Sequence, residues 1–165
     1  MPVNSSETLN AAARILSRDA VISETRSARQ VGKTIVFANG CFDVLHAGHI
    51  RYLQGARELG DVLVVAINAD DQVNLLKGNG RPILAERERA ELVASLEVVD
   101  FVTIFDEPTV EQLLRAIKPD IHAKGTDYTE ETVPERDVVR SFGGRIAIVG
   151  DPKHHSTSEI LKRFK

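Results

Sequence analysis

At 165 residues with 42% hydrophobic and 27% charged side chains, the chain can bury one substantial core and is too apolar for a disordered segment. Its 21 basic and 24 acidic residues give a formal charge of −3, which excludes the bulk positive field of a duplex nucleic-acid binder, and one cysteine excludes a disulfide framework or a multi-cysteine zinc site. The longest apolar run, Val62 to Ile67, falls far short of the ~20 residues of a membrane span, and no basic-then-apolar signal opens the chain, so a cytoplasmic protein without a membrane partner is expected.

Residues 1–30 read as an N-terminal helical extension, helical from Leu9 through Ile22, and 31–165 as the domain itself. The extension either packs as an extra helix or offers a partner surface. Thr34 to Ala38 is apolar and β-branched and ends at Asn39-Gly40, which predicts a first strand. Ile50 to Leu59 carries apolar residues at 50, 52, 53, 56 and 59, a helix that Gly60 can stop at C′. Val62 to Ile67 suits a strand covered on both faces. A short helix follows at Ala69 to Leu76. Lys77 to Pro82, with Gly78, Gly80 and two cations, is then the expected mobile loop. Helix is predicted over Glu86 to Leu96, strand over Val98 to Phe105, and helix over Thr109 to Ile117, closed by Pro119. Short strands are predicted at Asp120 to Ala123 and Arg145 to Val149. A last helix runs from Ser156 to Phe164 and opens on the capping-box pattern Ser156-x-x-Glu159. This alternation predicts an α/β protein with a doubly wound parallel sheet.

In such a sheet ligands sit beyond the carboxyl ends of the strands, near the switch in strand order. The first strand delivers Asn39-Gly-Cys-Phe-Asp43 and then His46-Ala-Gly48-His49, where a helix begins. A helix start offers free N–H groups and a positive dipole end, and two histidines three apart add donors for the same anion. Gly48 between them permits close approach of a phosphate. The rival readings are a pair of satisfied surface histidines or a metal pair. A second ligand pair and an HExxH pattern are both missing for the latter, so no protein metal site is expected.

Asn39-Gly-x-Phe-Asp43 followed by His46-x-Gly48-His49 resembles the HxGH nucleotidyltransferase superfamily, which joins a nucleoside triphosphate to an acceptor and releases pyrophosphate. Further along, Leu76-Lys-Gly78, Arg81-Pro82, Glu88-Arg89, Ala94-Ser-Leu-Glu97, Val99-Asp100, Lys124-Gly-Thr-Asp-Tyr128 and Ser156-Thr-Ser158 resemble heptose-1-phosphate adenylyltransferases. The likeness runs over residues 30–165. It departs at Ala38, where such enzymes often carry Thr, and at Thr126, where Gly is usual. Before Ser156 the chain lacks the Arg and Gly of the related glycerol-phosphate cytidylyltransferases.

The resemblance implies a Rossmann-like single domain and attack by a sugar 1-phosphate on the α-phosphorus of ATP, with Mg²⁺ accompanying the triphosphate. A phosphate monoester is mostly dianionic at pH 7, so the task is to gather two anions and neutralise a leaving pyrophosphate, without a covalent enzyme intermediate. The resemblance places His46 and His49 on the triphosphate, with Lys77 as a third group carrying the chemistry. Asn39, Gly40, Phe42 and Gly48 shape the turn, and Asp43 orients a histidine or the loop, or serves as a turn residue. Ser156, Thr157 and Ser158 cradle the β- and γ-phosphates or simply cap a helix, and Arg89 reaches the phosphates. Arg81, Lys124, Gly125, Asp127 and Tyr128 are expected on the acceptor side.

The implied acceptor is D-glycero-D-manno-heptose 1-phosphate, giving an ADP-heptose precursor of cell-surface polysaccharide. A sugar kinase is expected on a separate chain, since these 165 residues hold none, and a homodimer is compatible. The rivals are a cytidylyltransferase of glycerol 3-phosphate or a similar alcohol phosphate, and a nucleotide sensor without turnover. Other signals fail. Gly32-Lys33-Thr34 precedes a strand, and Ser27 stands where a P-loop needs Gly. Cys41 suits a small buried side chain better than a nucleophile. His154-His155 suits a polar loop, and His122 in a short strand suits a structural role.

Overall fold

The computed structural model describes residues 10–152 and 156–164. The apolar run at 62–67 and the Asn68 that follows it are buried at every position, which a strand achieves only with layers on both faces. It forms β2 (Val62–Asn68), in one sheet with β1 (Ile35–Gly40), β3 (Phe101–Phe105), β4 (Ile121–Lys124) and β5 (Arg145–Ile148). Every pairing is parallel and the spatial order is β3-β2-β1-β4-β5. The chain winds outward from β1 to β3 and then returns to β4 on the other side of β1. The expected Rossmann-like, doubly wound sheet is therefore present, with its switch point between β1 and β4.

Around the sheet lie α1 (Arg18–Gln30), α2 (Ala47–Arg57), α3 (Asp70–Lys77), α4 (Glu86–Ala94), α5 (Glu111–Ile117), α6 (Arg136–Ser141) and α7 (Thr157–Lys162). Side chains alternate faces along a strand, and β1 shows the sorting. Val36 and Ala38 join Leu53 of α2 and Val93 of α4 in one core. Ile35 and Phe37 join Val21 of α1, Leu114 of α5 and Val139 of α6 in the other.

The N-terminal prediction of one helix from Leu9 through Ile22 is corrected from residue 10 onward; Leu9 itself lies outside the described residues. A short 3₁₀ turn (Ala11–Arg14) gives way to extended backbone at Ile15, which bridges to Val102 beside β3. Ser17 then caps α1 by accepting the Ala20 N–H at 3.2 Å, a start signal inside the predicted helix. Arg14 donates to the carbonyls of Ala94, Leu96 and Val99 just past α4, so this segment is tied across the domain.

Gly60 has a different reason from the one expected. The helix ends at Arg57 with Glu58 as its cap, and a Cβ on Gly60 would lie 2.7 Å from Val36 Cγ2 and 3.0 Å from Thr34 Cγ2. Close packing at the strand entrance, rather than a left-handed stop, demands glycine there. Helix α6 was not predicted. Only Val138 and Val139 on it are buried, too few for a readable period.

Candidate active site

Beyond the carboxyl end of β1 the backbone makes a strained turn. Phe42 and Val44 adopt φ values of +49° and +63°, and a β-branched residue in that region costs roughly 1–3 kcal/mol. The turn delivers His46 as the cap of α2. His46 Nδ1 accepts the Gly48 N–H at 3.1 Å, and His49 Nδ1 accepts the His46 N–H at 3.4 Å, a capping box built from imidazoles. The rings stack with centroids 3.8 Å apart, and Phe42 lies 5.2 Å from His49. An imidazole whose Nδ1 accepts a backbone N–H carries its proton on Nε2. Both histidines are thus held in one tautomer, with Nε2–H as the donor end.

Asp43 organises the rest of the turn. It is 2% exposed, and its carboxylate accepts from Arg81 Nε at 2.7 Å and from the N–H groups of Ile83 and Leu84 at 2.8 and 3.0 Å. Burial alone would raise its pKa; those donors outweigh burial and leave it below the ordinary carboxylate value. Its backbone carbonyl accepts from Thr157 Oγ1 at 2.8 Å. Of the alternatives open for Asp43, the structure has it orient the loop, and it ties both that loop and α7 to the histidine turn.

These elements enclose a cleft of about 630 Å³ at the switch point. Lining it are His46, His49, Asn39, Gly40, Phe42, Asp43, Gly48, Lys77, Arg81, Lys124, Gly125, Asp127, Tyr128 and Ser156 to Ser158. Nearly all the predicted positions therefore converge. Arg89 does not, and this is a correction. It is wholly enclosed, donating to the carbonyls of Cys41 (2.6 Å), Asn68 (2.9 Å) and Leu84 (3.0 Å) and pairing with Asp70 at 2.9 Å. A guanidinium that gives four hydrogen bonds, three to carbonyls and one to a carboxylate, knits the ends of β1 and β2 to α3 and the loop before α4, and its full burial keeps it from a phosphate in the cleft. Arg81 likewise spends its Nε on Asp43 while lining the cleft. Ser156 accepts from the Glu159 N–H at 3.1 Å, so its capping role is realised.

On the far wall Lys124 is 7% exposed, with Nζ 3.9 Å from Glu135 Oε2 and 4.5 Å from the Tyr128 ring centre. Burial draws its pKa down, against the pull of Glu135 and Asp127. Cys41 donates weakly to Asn68 Oδ1 at 3.8 Å, and burial pushes its thiol up, which disfavours a thiolate nucleophile. His122 is fully buried and its pKa falls to about 3, through burial first and Lys124 second. His154 and His155 lie outside the described residues. Among the described residues, no group of three or more His, Cys, Asp and Glu gathers as a metal cluster, and no helix is long and apolar enough to cross a membrane.

The family model described as cytidylyltransferase-like matches residues 37–163. The chain belongs to the cytidylyltransferase-like family. Among curated relatives it is 51% identical to the bifunctional protein HldE of Pelobacter propionicus, over 91% of this chain and 31% of that one. It is 48% identical to HldE of Syntrophotalea carbinolica, over 82% of this chain and 28% of that one. The chain thus spans about a third of the length of these relatives. A solved structure, the lipopolysaccharide core biosynthesis protein of Thermoplasma volcanium, is 31% identical with a TM-score of 0.62, covering 74% of this chain and all of that one. Pantoate-beta-alanine ligase from Francisella tularensis, at 20% identity and a TM-score of 0.58 over 87% of this chain and 68% of that one, shares the fold.

The residues lining this cleft that escaped the sequence reading include the polar side chains of Arg51, Tyr52, Asn68 and Glu135. Asn68 ends β2 and was findable from the strand-end rule. Arg51 and Tyr52 sit one turn into α2, and Glu135 precedes the unpredicted α6, so no local signal marked them. Thr126, where glycine was expected, donates to the Asp151 carbonyl at 2.8 Å and so links the loop after β4 to the loop after β5.

Proposed function

We propose that the chain is an adenylyltransferase that transfers AMP from ATP to D-glycero-D-manno-heptose 1-phosphate, yielding ADP-heptose and pyrophosphate. The observation that carries the reading is the pair of stacked imidazoles at the start of α2, each anchored through Nδ1 inside a cleft flanked by Lys77 and Lys124. Two fixed N–H donors at a helix start suit a polyphosphate whose charge grows as it leaves.

A sugar-phosphate oxygen attacks the α-phosphorus. A new P–O bond forms as the bond to the β-phosphate bridging oxygen breaks, and the electron pair departs on pyrophosphate. No proton need move, because the attacking phosphate is already largely dianionic. His46 and His49 hold the β-phosphate side, and α7 with Ser156, Thr157 and Ser158 frames the triphosphate. Lys124, Gly125, Asp127 and Tyr128 face the acceptor, whose hydroxyls suit the acidic and aromatic side chains there. Mg²⁺ enters as part of the substrate MgATP. There it would be held mostly by phosphate oxygens and water, as is usual for Mg²⁺ on a triphosphate, and would help to neutralise the leaving pyrophosphate. The acceptor must arrive already phosphorylated, so a sugar kinase is the expected supplier.

A pyrophosphate-release screen of four nucleoside triphosphates against sugar and alcohol phosphates tests this. ATP with heptose 1-phosphate is expected to give the fastest release. CTP with glycerol 3-phosphate as the best pair would make the chain a cytidylyltransferase, and tight ATP binding without product would make it a sensor.

A further inference from the structure

The ladder between β1 and β4 is only two residues long, ending at Phe37 opposite His122. Past that point the strands part, and side chains bridge the gap where hydrogen-bonded backbone would otherwise stand. Tyr52 Oη donates to the Ala123 carbonyl at 2.6 Å, and the Asn39 backbone N–H acts on the same phenol oxygen electrostatically. His122 Nε2 lies 3.0 Å from Asn39 Oδ1. Asn39 is therefore held at its side chain by His122, with Tyr52 beside its backbone, and it lines the cleft.

We propose that His122 is a positioning residue: its Nε2–H holds the Asn39 carboxamide oxygen, so that the amide N–H donors are the end left for the phosphates in the cleft. This rests on reading the cleft as the triphosphate site. The tautomer follows from the surroundings. His122 Nδ1 is buried without a partner, and Phe37 meets the ring edge-on with centroids 5.5 Å apart. A buried bare lone pair is better tolerated than a buried orphan N–H. With the proton on Nδ1, the ring would bury that orphan and also set a lone pair against the Asn39 oxygen. A charged ring would bury the same orphan beside Lys124. The neutral Nε2–H form alone fits, and it accepts only one orientation of Asn39. The reversed amide would turn an oxygen toward an anion.

The test uses the full chain and α,β-methylene-ATP, whose bond at the cleavage point cannot break, with binding measured by calorimetry. Asn39→Ala and His122→Leu are each expected to weaken binding about tenfold, the worth of one hydrogen bond. The double variant should be no weaker than Asn39→Ala alone, because His122 acts through Asn39. His122→Gln keeps an N–H donor at similar reach and should bind within about threefold of wild type. Additive losses, or His122→Gln as weak as His122→Leu, would overturn the proposal while wild-type binding leaves the reading of the cleft standing. A wild type that does not bind the analogue sinks both. Should His122→Leu fail to fold, His122→Gln and the imidazole nitrogen NMR spectrum of the wild type still decide. A protonated Nε2 and bare Nδ1 from pH 5 to 8 are expected, and the opposite tautomer refutes the assignment.

Discussion

The two edges of β1 behave differently, and the contrast locates the cleft. Toward β2 the ladder runs unbroken from Ile35 opposite Val62 to Gly40 opposite Ile67. Toward β4 it stops after two pairs, and tyrosine and histidine side chains replace it. The closed edge is the middle of the core, where β-branched side chains fill both faces. The open edge is where a parallel sheet that reverses its winding must leave room, and backbone polar groups there need other partners. Core and cleft are thus made by one strand, and substitutions on the open edge should alter chemistry while those beneath the turn alter stability.

The sharpest way to break that division is His49→Ala. It should lower turnover by about 10²-fold or more, as expected for loss of one donor to a developing charge, with ATP affinity changed far less. Steady-state pyrophosphate release together with calorimetry checks it, and near-normal turnover would remove His49 from the chemistry. Next is Asp43→Ala, which leaves the Ile83 and Leu84 N–H groups and Arg81 without their acceptor. A loss of about 2 kcal/mol in a urea melt is expected. Because the folded pKa of Asp43 lies below its unfolded value, its contribution is full above the unfolded value and disappears as pH falls through the folded one. The acid limb of the stability profile should flatten in the variant.

His122 tests the open edge through pH. Its folded pKa of about 3 lies below the ordinary value of 6.5, so the unfolded chain binds the extra proton between them. Stability from keeping this ring neutral is complete above about pH 6.5 and declines on acidification toward pH 3, with a slope near 1.4 kcal/mol per pH unit. His122→Gln should remove that share of the slope, as read from melts between pH 4 and 7. An unchanged slope would mean that the ring is charged or accessible.

Much of the cleft was legible because its residues lie consecutively at a strand-to-helix turn, where a motif records geometry directly. Asn39 to His49 is one such stretch, and Lys124 to Tyr128 is another, both at strand ends. Arg89 was misplaced because sequence shows a cation near a motif but not which carbonyls surround it. Tyr52 and Glu135 went unseen because their neighbours in space, Ala123 and Lys124, are remote in sequence. The sheet was readable from continuous apolar runs. Extended backbone at Ile15 was not, since alanine-rich flanks favour helix locally and the bridge to Val102 is a tertiary effect.

The smallest expected effect concerns Lys77, and it separates the two cations of the loop after α3. Arg81 is committed to Asp43 within hydrogen-bonding distance and holds the loop in place. Lys77 lines the cleft in the last turn of α3, where a mobile ammonium acts as a point charge rather than a fixed fork. Losing an exposed charge of that kind is worth about 1 kcal/mol, so Lys77→Ala should raise the KM of one substrate roughly fivefold and leave kcat nearly unchanged. Arg81→Ala, by contrast, should lower the melting temperature as well, because it strips a buried carboxylate of its partner. If Lys77→Ala instead reduces kcat in proportion to kcat/KM, the lysine acts in the transition state and the loop belongs with the histidines; if neither parameter moves, the side chain is merely solvated.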